Sequence, residues 1–269
     1  MTIKKDEAIN KPTVSVHKFS SCDGCQLAFL NLGENLLTLT ELVDIQHFAE
    51  AGMLNEDQPV DIAFVEGSIS TSHELERIKK IRDKSKYLVT IGACATSGGI
   101  QALRNIHDTQ DWVEGIYAKP EYISTLDNVS PISEYVTVNF ELWGCPISTE
   151  QLIASIQSLL AGVKPKSDTE KVCMECKRNQ NICTLVTKQT PCLGPVTKAG
   201  CGAICPSFGR NCYACYGPAV DTNTVALSNR FSGFGLLPED IARRFSLFNN
   251  NAPVFRNIAK KVLETNVTG

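Results

Sequence analysis

Tyr87-Leu-Val-Thr-Ile91-Gly92-Ala-Cys94-Ala-Thr-Ser97-Gly98-Gly99-Ile100 joins an apolar run to a cysteine and then to a glycine-rich turn. Tyr87 to Ile91 reads as a strand buried on both faces, and Ile100 to Asn105 as a helix that opens after the flexible glycines. Outward from this unit the pattern repeats. Val14 to Phe19 alternates as a strand, Ser20 to Cys25 turns, and Gln26 to Leu39 carries leucines at 27, 30, 36, 37 and 39 with helical spacing. A second strand is expected through Leu42 to Phe48. Val60 to Val65 supplies a third, ending in Glu66-Gly67-Ser68. His73 to Lys84 places Leu75, Ile78 and Ile81 on one helical face, and Tyr135 to Leu142 reads as a fifth strand before Gly144-Cys145-Pro146. Ser148 with Gln151 forms a capping box for a helix through Leu160, which Gly162 stops. Strands alternating with helices predict an α/β chain with a doubly wound parallel sheet, whose ligands lie beyond the carboxyl ends of the strands.

All four cysteines of this part fall at that edge: Cys22 and Cys25 after the first strand, Cys94 after the fourth and Cys145 after the fifth. The 269 residues have room for two domains, and composition divides them. Residues 1–163 hold these four cysteines, all four histidines and the long apolar runs. Residues 164–269 hold eight more cysteines and many Gly, Pro and Asn residues, which suits a loop-rich domain held by its metals. A net charge of −3 without a basic stripe argues against a nucleic-acid partner. No apolar run is long enough to span a bilayer, and the charged start Met1 to Lys11 lacks the apolar core of an export signal. Arg243-Arg244-Phe245 lies too near the C-terminus to be a twin-arginine signal and reads as the polar turn of a helix. A cytoplasmic location is expected, in which the glycosylation sequons at Asn128 and Asn266 carry no meaning.

In a reducing compartment twelve thiols read as metal ligands before disulfides, and twelve makes three sets of four. Zinc and a four-iron cubane both accept tetrahedral sulfur. Zinc sites favour two compact knuckles, whereas the first set is one Cys-x2-Cys pair plus two solitary cysteines far downstream; iron–sulfur chemistry is the better fit. The later eight read Cys173-x2-Cys176-x6-Cys183-x8-Cys192, then Cys201-x3-Cys205-x6-Cys212-x2-Cys215. Two tetrads in order is the simplest partition, and crossed ligation stays open.

The segments Ser21-Cys-Asp-Gly-Cys-Gln-Leu27, Glu66-Gly-Ser-Ile69, Ile91 to Ile100, Gly144-Cys-Pro146 and Cys192 to Pro206 together resemble the small subunit of nickel-iron hydrogenases, over nearly the whole chain. The chain looks most like the delta subunit of cytoplasmic sulfhydrogenases, and next most like the gamma subunit of methyl-viologen-reducing hydrogenases. The resemblance implies a flavodoxin-like domain carrying a proximal cluster on Cys22, Cys25, Cys94 and Cys145. A smaller iron–sulfur domain would then carry a distal cluster on Cys173, Cys176, Cys183 and Cys192, and a medial one on Cys201, Cys205, Cys212 and Cys215. Periplasmic relatives have a histidine where this chain has Cys173 and a proline where it has Cys205, so three 4Fe-4S clusters are expected.

The implied activity is an electron relay between the nickel-iron site of a large subunit and a flavin and iron–sulfur diaphorase linked to NAD(P), with no nickel ligands in this chain. The runner-up passes electrons to a heterodisulfide reductase. The related 20-kDa-type subunit of respiratory complex I has adjacent cysteines at the first ligand position and a single cluster, which sets it apart. A zinc-stabilised scaffold and a free-standing ferredoxin-like carrier are the rivals from other classes. Glu66, at the cofactor edge, is a candidate for proton movement or for the large-subunit contact, against an exposed or capping carboxylate. His17 and His47 read as packed or solvated residues in or beside strands. Asp23 is expected to accept backbone N–H groups, Trp143 to shield a cluster or meet the partner, and Phe231, Phe234, Phe245 and Phe255 to form a local core, with helices beginning near Pro238 and Asn257.

Overall fold

The computed structural model describes residues 11–167 and 169–264; the first ten residues and the sequon at Asn266 lie outside them. Six strands, β1 (Thr13–Lys18), β2 (Asp44–Phe48), β3 (Met53–Leu54), β4 (Val60–Glu66), β5 (Ser85–Ile91) and β6 (Phe140–Leu142), form one sheet in the order β3-β2-β1-β4-β5-β6. Every neighbouring pair is parallel except β2 with the edge strand β3. Without that edge strand the order is the flavodoxin-like 2-1-3-4-5, and it reverses between β1 and β4, where such sheets place their ligands.

Around the sheet run α1 (Gly24–Leu30), α2 (Glu34–Leu42), α3 (Ser72–Lys84), α4 (Gly92–Ser97), α5 (Thr109–Ile116) and α6 (Thr149–Leu160). Alternation along β1 explains the layering. Val14 and Val16 face one core with Phe29 of α1 and Leu152 and Ile156 of α6. The opposite core holds Ala63 and Val65 of β4 with Ile78 and Ile81 of α3. Helices therefore cover both faces, as expected. Thr71 and Glu74 complete a full capping box at the start of α3. At α6, Ser148 Oγ accepts the Gln151 N–H, while the Gln151 side chain lies against Gly200.

The second part contains three short helices, α7 (Val172–Arg178), α8 (Thr184–Thr187) and α9 (Ile204–Ser207). They are followed by α10 (Thr224–Ser232), α11 (Pro238–Ser246) and α12 (Pro253–Glu264). Phe231, Phe245 and Phe255 pack together as the centre of this last trio, with Phe234 at its edge.

Several expected elements differ. The run Gln26–Leu39 is broken by Gly33, whose φ of 60° is left-handed, and Leu37 is exposed. Only Phe140–Leu142 of the expected fifth strand is strand paired with β5; residues 135–139 are turn, bend and irregular backbone that follow the short 3-10 helix Ile132–Glu134. Ile100–Ile106 is likewise 3-10, and the last helix begins at Pro253, ahead of Asn257.

Candidate functional site

The sheet brings its four cysteines to one edge. Cys22 precedes α1 and Cys25 lies in it, both beyond β1; Cys94 sits in α4 after β5, and Cys145 follows β6. Two hydrogen bonds hold these loops in place. The Cys25 N–H donates to Glu66 Oε1 at 2.9 Å, and the Ala93 N–H donates to the Gly144 carbonyl at 2.7 Å. Glycine is needed at 92: its φ is +87°, and a Cβ there would stand 2.3 Å from Cys25 Sγ. Burial pushes the Cys25, Cys94 and Cys145 thiols up, Cys94 to about 12 and Cys145 to about 11. Mutual repulsion adds to each shift: Cys94 and Cys145 act on Cys25, Cys145 and Cys22 on Cys94, and Cys22 on Cys145. The four sulfurs are thus near neighbours.

The eight later thiols also neighbour one another. Burial, then Cys192, Cys176 and Cys183, raises Cys173 to about 11. Those four cysteines also line one small cavity of about 30 Å³ with Thr184, Leu185 and Pro206. Burial, then Cys201, Cys145 and Cys205, raises Cys215 to about 12. Cys212 is buried, feels both Cys192 and Cys215, and donates its N–H to Cys192 Sγ at 3.2 Å. The groups therefore adjoin in sequence through space. Cys145 touches the middle set through Cys215, and the middle set touches the outer one through Cys212 and Cys192. Cys22 and Cys183 are the exposed thiols.

Glu175, between Cys173 and Cys176, was not singled out by its sequence position. Its carboxylate accepts the N–H groups of Gly200, Gly202 and Ala203 at 2.7, 3.2 and 3.2 Å and lies 3.8 Å from Cys201 Sγ. Gly202 and Ala203 have φ of 65° and 53°, which turns successive N–H groups toward one anion. One side chain thereby ties the outer set's helix to the middle set's loop. The sole signal in sequence is the glycine-flanked Cys201.

Other candidates also find their places. Glu66 is buried, so it is not an exposed carboxylate; burial raises its pKa, hydrogen bonds from Cys25 and Gln26 oppose that, and Oε2 lacks a close hydrogen-bond partner among the described residues. Asp23 binds the Lys18 ammonium at 2.6 Å and the Ser21 hydroxyl at 3.2 Å, where backbone N–H groups were expected. Trp143 fills the space above Gly217, under the Lys198 ammonium, and its indole N–H donates to Glu141. His17 and His47 are buried in β1 and β2.

The family described as NADH ubiquinone oxidoreductase, 20 Kd subunit, matches residues 22–159, a span that includes the sheet-edge cysteines. Sulfhydrogenase 2 subunit delta of Pyrococcus furiosus is 35% identical over 236 residues, covering 87% of this chain and 98% of that one. The chain belongs to this 20 Kd family, as a hydrogenase small subunit. An F420-non-reducing hydrogenase subunit of Methanocaldococcus jannaschii is 31% identical, over 76% of this small subunit and 81% of that protein. The structure of an NAD+-reducing NiFe-hydrogenase in its H2-reduced state is similar with a TM-score of 0.54 and 27% identity, covering 58% of this chain and 94% of that one.

Iron–sulfur clusters, which this family and the twelve cysteines imply, suit the donor set. Enclosed sulfurs that raise one another's pKa lose their protons only when a cationic core compensates them. Backbone N–H groups already point at several of them: Ile147 at Cys25, Ile100 at Cys94, Ala203 and Ile204 at Cys201, and Ala214 at Cys212. Among the described residues no helix is long and apolar enough to cross a membrane.

Proposed function

We propose that this small subunit relays electrons between the nickel-iron site of a large subunit and an NAD(P)-linked diaphorase in the cytoplasm, through three four-iron clusters. Cys22, Cys25, Cys94 and Cys145 would hold the proximal cluster. Cys201, Cys205, Cys212 and Cys215 would hold the medial one, and Cys173, Cys176, Cys183 and Cys192 the distal one, with a domain division near residues 163–164. Bound clusters accept and release one electron at a time.

The observation that supports this reading is the run of neighbouring thiols, with Cys215 beside Cys145, Cys212 beside Cys192, and Cys22 and Cys183 exposed. This chain's own groups supply spacing, burial and N–H donors. Enclosed Cys212 and Cys192 keep water from the middle of the row, and N–H groups aimed at sulfur stabilise the added negative charge. Glu66 holds the Cys25 backbone in the loop nearest the exposed end, and its unpartnered Oε2 is a group that could take up a proton there.

A second reading, delivery to a heterodisulfide reductase, is favoured by the extent of the matches. The F420-non-reducing relative accounts for 76% of this chain, whereas nearly all of the NAD+-reducing protein aligns with only 58% of it. Co-purification of the native complex under anaerobic conditions, with subunit identification and metal and flavin analysis, tests both. Nickel with a flavoprotein diaphorase supports the relay to NAD(P). A heterodisulfide reductase partner supports the second reading, and a colourless zinc protein overturns both.

A further inference from the structure

Four strongly exposed apolar side chains of the second part surround one exposed thiol. Phe208 is 81% exposed, Ile182 72%, Val186 68% and Ile204 60%. Ile182 and Val186 flank Cys183 in the chain, while Ile204 and Phe208 belong to α9 and the residue that ends it. Surface hydrogen bonds hold the two segments side by side. The Asn181 amide donates to Ser207 Oγ at 3.0 Å, the Asn179 amide to the Gly202 carbonyl at 2.9 Å, and Lys188 Nζ to the Gly209 carbonyl at 3.2 Å.

The outward apolar residues have no role in the packing of this part. Thr184 and Pro206, on the same two short helices, turn inward to line the cavity with Cys173, Cys176, Cys183 and Cys192. Single exposed apolar residues are ordinary on a protein surface. Four on adjoining segments form a patch of the kind that marks an interaction site.

Charge says what kind of partner fits it. Between residues 171 and 216 the chain has Lys171, Lys177, Arg178, Lys188, Lys198 and Arg210 against one acidic residue, Glu175. The Glu175 carboxylate is already committed to the N–H groups of Gly200, Gly202 and Ala203, and Arg178 is paired with Glu170. Lys177, Lys188 and Arg210 are exposed on the same segments as the apolar four. The chain as a whole has a net charge of −3, so this positive charge is local.

We propose that this face docks a partner protein that presents acidic side chains around an apolar centre. The inference rests on the reading that Cys183 belongs to the distal set, and it adds the chemistry of the surface that meets it. A second copy of this chain would set basic residues against basic ones. Residues 1–10 carry two lysines against two acids, and residues 265–269 carry no charged side chain, so neither end supplies an excess of carboxylates. An acidic partner satisfies both features: opposite charge steers its approach and fixes its orientation, and the apolar centre supplies most of the affinity.

The test uses the native complex, purified anaerobically and treated with a carbodiimide, which joins an amine to a carboxylate in contact with it. Lys177 and Lys188 are expected to appear by mass spectrometry joined to Asp or Glu of another subunit. Raising salt from about 0.1 M to about 1 M, which shortens the screening length from about 10 to about 3 Å, should release that subunit. Lys188→Glu with Arg210→Glu should weaken its retention about tenfold, and Phe208→Ser by at least as much, with iron content unchanged. Phe208 is exposed, so its replacement leaves the fold intact. Cross-links elsewhere between the subunits with none at these lysines would overturn the proposal, as would undiminished retention in both variants or links only to a second copy of this chain. Iron missing from the outer cysteine set while the lysines still link to an acidic subunit would instead break the relay reading and leave the docking surface standing.

Discussion

The thiols at the sheet edge and the thiols of the second part are positioned by different forces. Cys22, Cys25, Cys94 and Cys145 sit on loops whose ends are strands, and those strands are fixed by two apolar cores that contain few sulfur atoms. The eight later cysteines lie among short helices and turns; the apolar cluster formed with them is small, Val172, Cys192, Ala203 and Cys212 being its buried members, and of the buried residues between them only Leu193, Val196 and Ala214 reach the core of α10–α12. A preformed edge can present its sulfurs before any metal arrives. The loop region, in contrast, has little apolar area of its own and relies on whatever its sulfurs bind.

Metal removal should expose that difference most sharply. After anaerobic chelation of the iron, amide exchange over residues 172–216 should approach that of an unfolded chain, while β1, β4 and β5 stay protected. Equal loss in both regions would erase the contrast.

Gly92→Ala attacks the edge set from within the sheet region. The new Cβ meets Cys25 Sγ, which costs about 1–3 kcal/mol in overpacking, and the left-handed backbone adds about 1–2 kcal/mol. Iron content should fall by about one cubane's worth, with the later sets retained. Glu175→Ala does the converse. Loss of the acceptor for Gly200, Gly202 and Ala203 should cost about 1–3 kcal/mol, read as faster exchange of those three amides, and Glu175→Gln should restore part of the protection. Ser148→Ala, at the cap of α6, should lower thermal stability by about 1 kcal/mol without changing metal content.

The smallest effect is on acid stability. Neighbouring His17 and the Arg77 guanidinium hold Glu56 down, to about 2, from an ordinary value near 4.5. A depressed carboxyl stabilises the fold above its unfolded pKa, and that contribution fades as pH falls from about 4.5 toward 2. Glu56→Gln should therefore flatten the acid limb of the stability curve, modestly because the side chain is partly exposed.

Periodicity made the strands at 14–19, 60–65 and 87–91 legible, because buried parallel strands write themselves as apolar runs. Counting cysteines beyond their ends located the edge set. What periodicity missed has specific causes. Gly33 divides a leucine-rich run whose spacing is otherwise helical, and β3 is only Met53–Leu54, too short to carry a pattern. Tyr135–Val138 has strand-like composition but forms turn, bend and irregular backbone, and pairing with β5 begins only at Asn139. Glu175 was illegible because its acceptor role depends on N–H groups 25 to 28 residues away, turned toward it by left-handed backbone. The stacking of His17 on His47 depends on strand register, which a single sequence leaves open.

The central claim is that three separate sulfur tetrads hold three four-iron clusters in a row. Iron and acid-labile sulfide analysis with Mössbauer spectroscopy on the anaerobically purified complex, corrected for iron in its other subunits, tests it most directly. The account predicts about twelve iron and twelve sulfide per small subunit, all in cubane environments. About three zinc ions, a three-iron signal from the medial set, or a single cubane would contradict it.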